Sequence, residues 1–184
     1  MILAYYYLLS SLPLLRKGEQ PPITSEYLLS SCSQMLGPKT ADWLMQVKLF
    51  PEKENPFGKS SAVNKWYIWE KELRNRLAKF RALRLEREYG NGENGNSIAD
   101  IDRSIEEILS TSNPLEREKL LDALRWRALD GFEFGHDFDF DLLCIYRIKL
   151  LLLEKWIGRE QRKGLENLDA IVNKLERAGT TASS

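Results

Sequence analysis

The chain has 184 residues, of which 43% are hydrophobic and 29% are charged, a composition typical of a globular protein rather than a disordered one. Twenty-seven Lys and Arg side chains balance twenty-seven Asp and Glu side chains, so no overall field favours nucleic acid or an acidic membrane. The length fits one domain, residues 1–184, with one hydrophobic core.

The N-terminal stretch MILAYYYLLSSLPLLRKG is apolar but lacks the features of a secretion signal, because no Lys or Arg precedes it, no A-x-A pattern follows it and Pro13 interrupts it. No segment reaches the roughly 20 apolar residues that span a bilayer. We therefore expect a cytoplasmic protein without a membrane-inserted helix. The stretch from Tyr5 to Leu12 is too short and too uniformly apolar to distinguish a helix from a strand, and we assign it to a helix because the remainder is helical.

Apolar residues recur at intervals of three and four along most of the chain, which is the period of an α-helix. The sequence therefore predicts an all-α bundle of about six to eight helices. After the first, we expect helices over 24–35, 40–50, 61–89, 98–111, 114–130, 141–157 and 164–178. The candidate N-caps are Thr24 or Ser25, Ser97 and Asn113, and Gly37-Pro38 separates the second helix from the third.

The segment YGNGENGNS, residues 89–97, is the clearest break in this pattern. Its Asn and Gly residues favour turns and do not hold a helix. We interpret it as a flexible linker that divides the domain into two helical halves, 1–88 and 97–178.

The predicted helix over 61–89 carries an apolar stripe that includes Trp66, Trp69 and Leu73, with charged residues opposite. Basic residues outnumber Glu70, Glu72 and Glu86 between Lys65 and Arg87. A solvated face with internal pairs such as Glu72 with Arg76 is the commonest arrangement for such a helix. The same face is our candidate partner-binding surface, with these residues: Lys71, Arg74, Arg81, Arg84 and Arg87. Because aromatic residues lie beside it, a nucleic-acid interface is the alternative.

The segment HDFDFD holds the only histidine, His136, and three alternating aspartates. An EF-hand loop counted from Asp137 needs Gly at its sixth position and Glu at its twelfth, where this chain has Leu142 and Ile148. A zinc or acid–base site also lacks nitrogen and sulfur partners for His136. We expect instead that Asp139 or Asp141 caps the next helix, whose apolar circumference places it at the bundle centre. Four phenylalanines should anchor the preceding loop in the core: Phe132, Phe134, Phe138 and Phe140.

Other signs of catalysis are sparse. No phosphate-binding loop or dinucleotide fingerprint is present, and Cys32 and Cys144 have no metal-ligand spacing, which favours buried free thiols. We assign no catalytic residue, no cofactor and no metal, and we predict a protein that is not an enzyme.

Several aromatic and apolar motifs carry a family resemblance: Tyr5-Tyr6-Tyr7-Leu8, TSEYLLS, Phe140-Asp141, Tyr146-Arg147-Ile148-Lys149-Leu150 and Leu153-Glu154-Lys155-Trp156. Over nearly the whole chain the sequence resembles an uncharacterised bacterial family encoded in operons for V/A-type ATPases, the rotary proton or sodium pumps. It is more distantly similar to their helical connector subunit, but it is much shorter and has no threefold repeat.

The resemblance implies a non-catalytic accessory or stalk component that binds stalk or rotor subunits through protein–protein contacts. Attachment to the inner membrane would then be peripheral, through the ATPase. The family offers no established functional residues to carry over. The alternative is a helical nucleic-acid-binding protein that uses the basic face from Lys65 to Arg87.

Overall fold

The computed structural model describes residues 2–50, 57–84 and 99–159, and these residues form helices and connecting loops without a strand. Seven helices occur in these ranges, which confirms the predicted all-α fold. They are α1 (Ile2–Ser11), α2 (Ser25–Leu36), α3 (Pro38–Gln46), α4 (Ser61–Arg84), α5 (Ala99–Ser110), α6 (Pro114–Glu133) and α7 (140–159). The predicted linker 89–97 and the predicted helix 164–178 lie outside the described residues.

Side-chain caps fix where three helices begin. Thr24 Oγ1 accepts a hydrogen bond from the Tyr27 amide at 3.2 Å, and Asn113 Oδ1 accepts one from the Leu115 amide at 2.9 Å. Asp139 Oδ1 accepts one from the Leu142 amide at 2.8 Å. Each cap satisfies an amide that has no partner within its helix, and all three were predicted. Ser97, the other candidate cap, lies outside the described residues.

Gly37 separates α2 from α3. Its φ of +91° is accessible to glycine but strained for other residues, and its amide closes α2 by bonding to the Ser33 carbonyl at 3.1 Å. Pro38 then occupies the first turn of α3, where a missing amide hydrogen costs nothing. The predicted break at Gly37-Pro38 is confirmed.

The predicted extent of α3, over 40–50, is wrong at both ends, since α3 begins at Pro38 and ends at Gln46. Residues 47–50 leave the helix because other helices bind their backbone. Arg147 Nε donates to the Val47 carbonyl at 3.2 Å, and Trp66 Nε1 donates to the Leu49 carbonyl at 3.1 Å. These tertiary hydrogen bonds cannot be read from local periodicity.

Helix α7 is central to the bundle, as predicted. It has seven buried apolar residues: Leu143, Cys144, Ile145, Ile148, Leu150, Leu152 and Leu153. Its polar side chains reach other elements of the fold. Glu154 accepts hydrogen bonds from the amide and hydroxyl of Ser25 at the start of α2, both 2.6 Å long, and Tyr146 donates to the Pro13 carbonyl at 2.8 Å.

The buried side chains form two clusters. The larger draws on α1, α2, α3, α4, α6 and α7, and the smaller draws on α4, α5 and α6. Trp69 packs against both clusters. Each cluster therefore combines residues from before and after 89–97. In the part of the chain that the structure covers, no helix is both long and apolar enough to cross a membrane.

Candidate functional site

The predicted partner-binding face lies on the outer side of α4. Lys71, Arg74 and Arg81 are all exposed there, but Arg74, whose side chain is 45% exposed, also contacts buried and partly buried residues. Its Nε lies 3.0 Å from Oε1 of the buried Glu70, and its guanidinium lies 4.6 Å from the centre of the Phe50 ring. The side chain of Arg84 and the whole of Arg87 lie outside the described residues.

A second arginine of α4 is also bound within the fold. Arg76 Nε lies 2.6 Å from Glu72 Oε1, the predicted internal pair, and its Nη1 contacts Asp102 of α5. The hydrogen bond to Asp102 contributes most to raising the pKa of Arg76. Part of the positive charge on α4 is therefore compensated by the protein itself.

The aromatic residues beside this face are not free to stack on bases. Trp66 is completely buried, and its ring stacks on Trp69 with the centres 5.4 Å apart. Tyr67 is half-buried, and its hydroxyl accepts a hydrogen bond from the Lys48 amide at 3.1 Å. The described part of α4 thus presents charge without an accessible aromatic platform.

A charged network that the sequence did not predict connects α4, α6 and α7. Glu70 is fully buried and accepts two hydrogen bonds from Arg125, both 3.0 Å long. Asp122 binds Arg125, Lys155 and the Trp156 indole at 2.6 to 2.9 Å. The sequence contains one indication that Glu70 is buried. Glu70 lies four residues after Trp66 and three before Leu73, so the helical period places it in the apolar stripe.

Phe50 covers one side of this network. The cationic groups of Arg74, Arg125 and Lys155 lie 4.6, 5.2 and 5.9 Å from the centre of its ring. The negative face of an aromatic ring attracts such cations. Phe50 therefore adds to the contacts that hold the three side chains in place, and the network has a structural role.

His136 supports the cap of α7. Its Nδ1 lies 2.8 Å from Asp139 Oδ2 and 3.6 Å from Asp141 Oδ2, while Asp139 Oδ1 caps the helix. Among the described residues, no group of three or more His, Cys, Asp and Glu side chains is arranged to hold a metal ion. The imidazole thus orients the carboxylate that begins α7.

Two of the four phenylalanines around His136 do not lie in the core, contrary to the prediction. Phe132 and Phe140 pack against the larger cluster, but Phe134 is 93% exposed and Phe138 is 37% exposed. Helix α6 continues to Glu133, and Gly135, with a φ of +87°, then turns the chain. This turn leaves Phe134 outside the core.

Phe138 forms an exposed surface together with residues of α1. Leu3, Tyr6 and Tyr7 are 65%, 46% and 56% exposed, and their spacing of three and four places them on one helix face. The Tyr6 ring lies 4.7 Å from the Phe138 ring and 5.8 Å from the Tyr7 ring, centre to centre. We call these four residues the aromatic surface.

Carboxylates surround the loop that supplies Phe138. Asp137 is exposed, and the side chain of Asp139 is 44% exposed. Just before the loop, Asp130 and Glu133 both bind Lys149 Nζ at 2.6 Å. Asp130 and Glu133 are thus paired within the protein, whereas Asp137 and Asp139 flank Phe138 along the chain, and we call these two aspartates the acidic margin of the aromatic surface.

Comparison with known protein families matches residues 86–179, just over half of the 184-residue chain, to a family described as Protein of unknown function (DUF2764). The chain belongs to this family. Within the matched range, the structure describes residues 99–159. These residues form α5, α6 and α7. They therefore include the part of the charged network that lies on α6 and α7. No curated protein and no solved structure matches the chain. The family description names no ATPase, so the association expected from the resemblance stays a prediction.

Proposed function

We propose that this DUF2764 protein is a non-catalytic accessory component that binds a stalk or rotor subunit of a V/A-type rotary ATPase. The aromatic surface is the observation that supports a protein partner. Its four members include two tyrosines and a phenylalanine that remain accessible although the chain buries other aromatic residues, such as Trp66. Exposed aromatic clusters are typical of protein-binding sites. The identity of the partner rests on the family resemblance of the sequence.

The margin of the surface indicates the chemistry of the partner segment. Asp137 and Asp139 place negative charge beside Phe138, and Asp139 is engaged with His136 on one oxygen. A complementary segment would present apolar side chains to Tyr6 and Tyr7 and basic side chains to the aspartates. Such complementarity contributes to partner choice and association rate.

The test is co-purification of a tagged protein with the ATPase from its native membranes, followed by mass spectrometry. We expect the wild-type protein to retain stalk or rotor subunits in low salt. The Tyr6→Ser/Tyr7→Ser variant should lose them, because apolar interface contacts near the centre of a surface carry most of the affinity. Tyr27→Ser is the matched control, since Tyr27 is 57% exposed on α2 and outside the aromatic surface.

The proposal is wrong if the wild-type protein retains no ATPase subunit, or if the control variant loses the subunits as completely as the double variant does. Circular dichroism of each variant shows whether the helices remain intact.

Nucleic acid is the alternative partner, and exposed basic residues on α4 favour it. Lys65, Lys79 and Arg81 are all exposed. Binding through these residues would weaken steeply with salt, because phosphate contacts release counterions. Retention of RNA or DNA by the wild-type protein, lost in Lys79→Glu/Arg81→Glu and unchanged in the tyrosine variant, would favour this function over the first.

A further inference from the structure

A cavity of about 270 Å³ lies between the loop 17–20 and helices α6 and α7. None of the four residues of the aromatic surface lines it, and neither does any residue of α4. The cavity exceeds the engineered cavity of about 150 Å³ that binds benzene inside a protein. It therefore has room for a bicyclic aromatic molecule.

Two indoles and an apolar wall line the cavity. Trp126 and Trp156 contribute rings, and Leu152, Leu153 and Ile157 contribute aliphatic surface. The Trp156 ring is held in place because its Nε1 donates to Asp122 Oδ2 at 2.8 Å. Fixed indoles favour planar ligands, which stack on them or meet them edge to face.

The carboxylates that line the cavity already have cationic partners. Asp122 binds Arg125 and Lys155 at 2.9 and 2.6 Å, and Glu19 Oε1 lies 3.8 Å from Arg16 Nη1. Both carboxylates of the lining therefore have cationic partners within the protein, although the Glu19–Arg16 pair is exposed to solvent.

The lysines of the lining differ from its carboxylates, because they lack a partner of opposite charge among the described residues. Lys17 and Lys119 both line the cavity, and within the described ranges neither forms an ion pair with a carboxylate. The Lys119 ammonium lies 6.0 Å from the centre of the Trp156 ring. The lining thus combines aromatic walls with two lysines that have no carboxylate partner among the described residues, and Gln20 adds a neutral polar group.

We propose that this cavity binds a small planar aromatic carboxylate. Its ring would lie against Trp126 and Trp156, and its carboxylate would face Lys17 and Lys119. Pockets of this kind use apolar walls for affinity and a few charged groups for orientation. This site is independent of the proposed binding to an ATPase, because it uses other residues.

The experiment uses indole-3-acetate as the probe and measures binding to the full chain by ligand-observed NMR and calorimetry. We expect a Kd of about 1 mM or tighter, as befits a ligand of this size. Neutral indole should bind at least about fivefold more weakly, because it lacks the charge that the lysines recognise.

Two variants locate the site. Ala123→Phe adds a ring inside the cavity, because Ala123 is part of its lining, and should raise the Kd at least about tenfold.

Lys17→Met/Lys119→Met changes only exposed side chains, so it tests the site even if the first variant fails to fold. It should raise the Kd about fivefold. Lys39→Met is its control on an exposed lysine of α3 and should leave binding unchanged.

Absence of binding up to about 10 mM indole-3-acetate would overturn the proposal. Equal affinity of the wild-type protein and the double lysine variant would overturn it as well, as would equal affinity for indole-3-acetate and indole. Because the probe is free in solution and no ATPase is present, these outcomes leave the proposed function untouched.

Discussion

Arg125 on α6 binds the buried carboxylate of Glu70 on α4 through two hydrogen bonds, from Nε to Oε2 and from Nη2 to Oε1, both 3.0 Å long. Both side chains are at most 7% exposed. The pair therefore crosses the α4–α6 interface with almost no water around it. Such a pair contributes little compared with a well-packed apolar pair, but loss of one partner leaves a buried charge.

Arg125→Met should therefore lower the free energy of unfolding by about 3–5 kcal/mol, because among the described residues Glu70 would keep only Arg74 as a cationic partner. The double variant Glu70→Leu/Arg125→Met should recover most of this loss, since Asp122 retains Lys155 and the Trp156 indole. Urea denaturation followed by circular dichroism measures both.

Glu19→Ala is the control for this comparison. Glu19 pairs with Arg16 at the surface, where the two side chains are 60% and 67% exposed, and such pairs contribute less than about 1 kcal/mol. A loss in Arg125→Met no larger than that in Glu19→Ala would contradict a structural role for the buried pair.

Leu150→Ala should destabilise the protein by about 2–5 kcal/mol, because Leu150 is fully buried in α7 and the change leaves a cavity. Leu14→Ala makes the same chemical change at a position that is 77% exposed, and should cost less than about 0.5 kcal/mol. Equal denaturation midpoints for the two variants would show that α7 is not the central helix.

Local patterns in the sequence were sufficient for the helices and most of the caps. Apolar residues at intervals of three and four predict α4 and α7. Thr24 and Asn113 are residue types that commonly cap the helix that follows them. The end of α3 could not be predicted in this way, because Arg147, a hundred residues away along the chain, binds the Val47 carbonyl.

The candidate sites were harder to predict than the fold. Phe134 and Phe138 are apolar, so composition alone places them in a core, and only the turn at Gly135 puts Phe134 outside it. The charged network was only partly visible in the sequence. The position of Glu70 in the apolar stripe of α4 indicates burial, but its partner Arg125 lies on another helix and could not be predicted from the spacing within α4.

Both cysteines should be nearly unreactive towards a disulfide reagent such as DTNB in the native protein at pH 8. Burial raises the pKa of Cys32 to about 11 and raises that of Cys144 further, and the thiolate is the reactive form. We expect both thiols to react in denaturant, at rates on the order of 100-fold higher than in the folded state. Rapid native labelling of either cysteine would contradict the buried-thiol assignment.

The raised pKa of Cys32 also makes the free energy of unfolding depend on pH in the alkaline range. An unfolded thiol ionises near 9.0, whereas the folded Cys32 thiol keeps its proton to about pH 11. Its contribution to stability is therefore complete below about pH 9 and is lost as the pH rises from 9 to 11. Cys32→Ser should show a smaller loss than the wild-type protein over that interval, measured as the change in denaturation midpoint.

Glu118 should make stability sensitive to acid. Partial burial alone would raise its pKa, but the hydrogen bond and charge of Lys155 outweigh this effect, and the pKa lies below its ordinary value of 4.5. Because the pKa of Glu118 is lower in the folded state, its ionised form stabilises the protein at pH values above 4.5. This stabilisation is lost as the pH falls through the folded pKa. Glu118→Gln should therefore show a shallower decline below pH 4.5, and identical acid profiles would contradict the Lys155 pairing.

Charge reversal on α4 should separate structural arginines from surface arginines. Arg74→Glu places a second carboxylate beside the buried Glu70 and removes the cation over Phe50, so we expect a loss of unfolding free energy on the order of 1–2 kcal/mol. Arg81→Glu changes an exposed residue and should stay within about 0.5 kcal/mol. If both variants unfold at the wild-type midpoint, Arg74 has no role in the network.

This difference decides which variants can test binding through α4. A variant that reverses Arg74, Arg81 and Arg84 together would lose stability as well as surface charge, so weaker binding would have two explanations. Lys79→Glu/Arg81→Glu reverses two exposed charges and spares Glu70. A nucleic-acid interface on α4 would lose affinity in this variant and show a shallower dependence on salt. Binding of a protein partner at the aromatic surface would continue at the wild-type level, because neither residue belongs to that surface.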